Sequence, residues 1–89
     1  MKAIVTVLGT DKVGIIAAVS RLLAERNANI LDISQTILQE YFTMIMLVDT
    51  CGINVPFAQL QNELAELGGE IGLQIQMQHE SIFNAMHRI

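Results

Sequence analysis

An α+β domain, with a four-stranded antiparallel sheet lying under two helices, is what this sequence predicts. Three observations carry the prediction. Two stretches place apolar residues at helical spacing, Ile15 to Leu23 and Phe57 to Leu67. Four others are β-branched or alternate with a period of two. The total of 89 residues matches one small domain, which buries roughly 60% of its unfolded surface.

Residues 2–8, KAIVTVL, are rich in β-branched side chains and bounded by Gly9, the mark of a strand. The period then changes. Ile15, Ile16, Val19, Leu22 and Leu23 form one helical stripe, leaving Ser20, Arg21 and Glu25 on the wet side. Asp11 is placed to cap the helix and Asn27 to stop it in a left-handed conformation, so the helix spans about 13–26.

Residues 30–38, ILDISQTIL, return to strand character with Leu31, Ile33 and Ile37 on one face. A hairpin turn over Gln39, Glu40 and Tyr41 leads into FTMIMLVD, 42–49, whose centre is apolar on both faces. Cys51-Gly52 ends that strand, and Pro56 suits the first turn of a second helix striped by Phe57, Leu60, Leu64 and Leu67. Gly68-Gly69 is expected to stop it. The last strand, LQIQMQ at 73–78, alternates Leu73, Ile75 and Met77 inward with three glutamines outward. A domain over 1–78 is followed by a tail over 79–89, with a short amphipathic docking helix expected through Ile82, Phe83, Met86 and Ile89. The order βαββαβ is the ferredoxin-like arrangement, which hosts many functions and decides none.

Composition narrows the classes. Hydrophobic residues make up 52% of the chain, rich for its size, so part of the apolar surface is expected to meet a partner. Net charge is −4, and the five basic residues Lys2, Lys12, Arg21, Arg26 and Arg88 are scattered, which argues against nucleic acid. The strands also lack the stacking aromatics of an RNA-reading sheet. No apolar run approaches the ~20 residues of a membrane span and no signal peptide is evident, so a cytoplasmic location is expected. A single cysteine, Cys51, fits a reducing compartment and excludes an internal disulfide.

Chemistry is sparse. Gly9 and Gly14 have the spacing of a phosphate loop, yet Gly14 is followed by Ile15-Ile16 instead of Lys and Ser or Thr, so the nucleotide reading fails. The loop still ends at a helix start, whose free N–H groups favour a small anion such as a carboxylate. The bland alternative is a turn in which Gly14 lets the helix pack close to the sheet and Asp11 caps it. His79 and His87 lie about 12 Å apart along a helix axis, too far for one zinc within the tail, and no metal or cofactor is expected. Cys51, Ser20 and Ser34 have no companion base, Met44 and Met46 suit packing, and nothing in the chain argues for an enzyme.

The stretch VLGTDKVGIIAAVSRLLAERNANILDIS resembles the ACT domain, a small-molecule-sensing module attached to many enzymes of amino-acid metabolism. The resemblance lies in Gly9, Asp11, Lys12, Gly14 and Ile15 of the first turn and in Asn29-Ile30 at the second strand. It extends over residues 2–78, while the tail is similar to that of short stand-alone ACT proteins, kin to the regulator of glycine cleavage. The family's turn proline is Val13 here, and its glycine before the asparagine is Asn27.

The resemblance implies a homodimer or higher homo-oligomer binding an amino acid at its seam, and a regulatory role through a protein partner. One copy would supply Asp11, Lys12, Val13, Gly14 and Ile15, and its neighbour Asn29, Ile30, Leu31 and Asp32. The alternative is a ligand-free interaction adaptor that uses the sheet edge or the tail.

Overall fold

The computed structural model describes residues 1–10 and 14–81. Asp11, Lys12 and Val13, and the tail from Ile82 onward with its expected docking helix and His87, lie outside the described residues. Among the described residues six elements follow in the order β1 (Lys2–Thr10), α1 (Ile15–Glu25), β2 (Asn29–Leu38), β3 (Tyr41–Asp49), α2 (Phe57–Ile71) and β4 (Gln74–His79). The expected ferredoxin-like order is the observed one, and the sheet runs β2-β3-β1-β4 with every pair antiparallel.

Alternation sets the two faces. Val5, Val7, Met44, Met46, Val48, Ile75 and Met77 lie under the helices, which contribute Val19, Leu23, Leu60 and Leu64 to the same core. The opposite face carries Ile4, Thr6 and Leu8 of β1 beside Leu47, Ile45 and Thr43 of β3. β3 is therefore apolar on both faces, as its sequence predicts.

The helix ends differ from expectation in three places. Gly14 with φ +87° occupies the N-cap of α1, and among the described residues no side chain caps its N-terminus; the expected cap, Asp11, lies outside the described residues. A Cβ at Gly14 would meet nothing within 4 Å; this glycine serves the left-handed backbone, not close packing. Pro56 holds the N-cap of α2, one residue before the helix.

Gly68-Gly69 does not stop α2, which continues to Ile71 and ends at Gly72 with φ +76°. Gly68 instead lets the helix approach β4: a Cβ there would stand 2.7 Å from the Leu73 carbonyl oxygen. Gly9, expected to end the first strand, lies inside β1, where it makes room for the Leu73 side chain.

Asn27, with φ +60°, ends α1 as expected, and its side-chain amide donates to the Gly52 carbonyl at 2.7 Å. Asn54 adds two bonds, its N–H to the Arg26 carbonyl and its amide to that of Glu25. Arg26 grips Glu63 of α2 with Nε and Nη2 at 2.7 and 2.6 Å. The Arg26 hydrogen bonds hold the Glu63 carboxyl below its usual range, and the carboxylate raises the guanidinium in return.

Candidate functional site

The sheet order makes β2 an edge strand, exposed almost throughout. Its apolar residues do not all share one face, because the pairing shifts between Ile30 and Asp32 and leaves Leu31 as the extra residue of a bulge. Ile30 packs half-buried against the core opposite Val48, and Ile33 and Ile37 follow the bulge opposite Met46 and Phe42. A one-residue insertion resets the side-chain alternation, so Leu31 leaves the phase that the sequence suggested. Ile33 and Ile37 remain 38% and 60% exposed, at the rim beyond the helices.

Beside this rim lies the start of α1. The N–H groups of its first turn have no intrahelical acceptor, and the first bond in the ladder runs from Ala18 to the Gly14 carbonyl. With no side-chain cap and no acidic residue in the first turn, the helix dipole there is unanswered among the described residues. These groups border a cleft of about 200 Å³ lined by Gly14, Ile15, Ile16, Ala17, Gln35, Ile37 and Phe42. The N–H groups suit a carboxylate, the Gln35 amide adds a donor and an acceptor, and Ile16 and Ile37 supply an apolar wall. Ligand pockets usually measure about 300–1,000 Å³, so one chain builds only part of an enclosure.

The candidate residues divide between two ends of the edge strand. Gly14 and Ile15 stand near the far end of β2, beside Gln35 and Ile37. Asn29, Ile30, Leu31 and Asp32 form its beginning, level with Val48 and Asp49. The span from Asn29 to Ile37 is about 26 Å at 3.3 Å per residue, so the two groups do not meet within one chain. Asn29 is exposed, and Asp32 Oδ1 accepts the N–H of Ile33 at 2.9 Å.

Gln35, Ile37, Ile16 and Phe42 were not among the sequence candidates. Gln35 left a signal, since it interrupts the phase of Ile33 and Ile37 with a polar side chain.

Among the described residues the remaining polar groups build no second centre. Cys51 is exposed and accepts a hydrogen bond from the Met1 ammonium. Its own N–H donates to Asp49 at 2.9 Å, the first cause of the lowered Asp49 pKa. His79 is half-buried with its ring stacked on Phe57 at 3.9 Å. Among the described residues no three His, Cys, Asp or Glu side chains gather as metal ligands, and no helix is long and apolar enough to cross a membrane.

The family model of the ACT domain matches residues 2–78. A UPF0237 protein of Clostridium acetobutylicum is 60% identical over 89 residues, covering all of both chains. An ACT domain protein from Streptococcus pneumoniae superposes with a TM-score of 0.82 at 47% identity, covering 98% of each chain. A solved structure assigned as a glycine cleavage system transcriptional repressor follows at 0.72 and 28%, covering 86% of this chain and 44% of its own.

Proposed function

The chain belongs to the ACT domain family, and from that premise we propose that it senses an amino acid at a seam between two copies. ACT domains are ligand-sensing regulatory modules. One observation carries the reading: the two halves of the candidate site lie at opposite ends of the same exposed edge strand. Antiparallel pairing of β2 with β2 of a second copy, about a twofold axis normal to the sheet, brings Asn29–Asp32 of one copy to the α1 N-terminus of the other. It also satisfies the unpaired backbone groups of an edge strand.

In that seam the N–H groups after Gly14 receive the ligand carboxylate. The Asn29 side-chain carbonyl accepts from its ammonium, while Asp32, level with Leu47 on the face away from the helices, stands outside the contact. Asp11, Lys12 and Val13, which precede Gly14 in the sequence, belong to the same proposed half of the site. Occupancy changes the geometry of the pair, and a protein partner reads that change; the chain acts as a regulator, not a catalyst. A related structure carries the name of a glycine cleavage repressor, so glycine and its close kin are the first ligands to try.

The test is a thermal-shift screen of the standard amino acids near millimolar, at fixed protein concentration. A ligand at a hundred times its Kd adds about 2.7 kcal/mol, or roughly 10–20 °C in a domain this small. Asn29→Ala is expected to abolish most of that shift while leaving the unliganded melting temperature unchanged. A flat screen, or a shift that survives Asn29→Ala, overturns the site and favours the ligand-free adaptor.

A further inference from the structure

The face of the sheet turned away from the helices is a second exposed surface, separate from the β2 edge. Leu8, Tyr41 and Ile45 are 44%, 52% and 38% exposed on it, with Leu38 at 70% at one end and Ile4 and Leu47 half-buried between them. Alternation puts Thr6, Thr43, Ser34, Thr36, Gln74 and Gln76 on the same face. Its charged strand residues, Lys2, Asp32 and Asp49, sit toward one end, and the centre holds none. An uncharged, partly apolar centre with charges displaced to the margin is the composition of an interface core.

We infer that this face is covered by the same face of a second copy, through a twofold axis lying between the sheets and across the strands at the level of Ile45 and Thr6. The register fixes what such an axis brings together. Ile45 and Thr6 are level with each other at the middle of β3 and β1, so each meets its own counterpart on the axis. Leu8 lies two residues to one side and Ile4 two to the other, so Leu8 covers Ile4 of the second copy. Charges then fall on neutral hydrogen-bonding groups: Asp49 faces the Tyr41 hydroxyl and Asp32 faces Thr36. No like charges are opposed. Self-complementarity of this kind is what an isologous contact requires.

The area is adequate. Three strands of nine or ten residues, about 30 Å long, and the six-residue β4 beside them at 4.8 Å spacing give a face of roughly 500 Å² in projection. Two such faces bury about 1,000 Å² in projection, the threshold for a biological interface, before side-chain relief is counted. Aligned packing of two twisted sheets accepts this arrangement. The axis is also compatible with edge pairing through β2, because together the two contacts close into a tetramer and do not propagate into a filament.

Light scattering coupled to size exclusion, run over a concentration series, tests the inference. Wild-type protein is expected at twice the mass of Ile45→Lys, which sets two ammonium groups against each other on the axis; Ile45→Leu keeps the wild-type mass. Circular dichroism checks that the variants are folded, and Thr6→Lys in the neighbouring strand carries the same test should Ile45→Lys not fold. A folded lysine variant with unchanged mass overturns the inference, as does wild-type protein that is monomeric throughout the series. A chain cut after Ser81 that doubles its mass relative to a monomeric full-length chain overturns it too, by showing that the tail covers the face.

Discussion

Two neighbouring glycines in one helix should respond to alanine in opposite directions. Gly69 sits in α2 with nothing within 4 Å of where a Cβ would be, so Gly69→Ala gains only the better helix propensity of alanine. That is worth about 0.5–1 kcal/mol, or roughly 2–8 °C in a domain of this size. Gly68→Ala gains the same propensity but drives its Cβ against backbone, 2.7 Å from the Leu73 oxygen and 3.2 Å from the Ile75 nitrogen. Backbone entering β4 cannot swing aside as a side chain can, and Leu73 also donates its N–H to the Gly68 carbonyl at 2.7 Å. Overpacking of this kind costs about 1–3 kcal/mol, leaving a net loss centred on about 1 kcal/mol and a fall of roughly 4–8 °C. Thermal unfolding followed by circular dichroism, with all three proteins at one concentration, decides it. Stabilisation by both substitutions would mean that α2 does not press on β4 at Gly68. Destabilisation by both would mean that the helix stops there after all.

Two further outcomes follow from the helix ends. Gly14→Ala forces a left-handed alanine and should lower stability by about 1–2 kcal/mol, with Gly14→Asn losing less, both measured by urea unfolding. The Glu63 carboxyl is held below its ordinary value by Arg26, so the pair contributes stability above the unfolded pKa and loses it as pH falls through the folded one. Melting temperatures of wild type and Glu63→Gln should therefore differ at neutral pH and converge between about pH 5 and pH 3, around the ordinary glutamate value of about 4.3. A gap that persists at pH 3 would assign the effect to packing.

Period carried most of the fold. The stripe of α1 and the alternation of β4 are written in single residues, and they put Ile15, Val19, Leu23, Ile75 and Met77 into the core, while Ile16, expected in the same stripe, stays exposed at the cleft. Glycine was less legible, because one residue type serves opposite purposes. Gly68 and Gly72 differ in what surrounds them, a neighbouring strand against a left-handed turn, and neither fact is local in the sequence. The bulge at Leu31 was equally hidden, since it exists only relative to β3. The same holds for the candidate site. Its two halves were visible as separate motifs, but their position at opposite ends of one edge depends on the sheet order. Gln35 gains its meaning only once β2 is seen to have a rim.

The central place of β1 has a consequence for how the chain is made. Val5 must find Met46 on one side and Met77 on the other, partners that emerge 41 and 72 residues later. At about 5–20 residues per second, the first pairing waits roughly 2–8 s and the second roughly 4–14 s. Between those moments a nascent chain can hold β1, α1, β2 and β3 in place while one side of β1 lies open. An open strand of this apolar character is a template for another chain. The six residues of β4, synthesised after β1 and β3, thus shield β1 as well as complete the core.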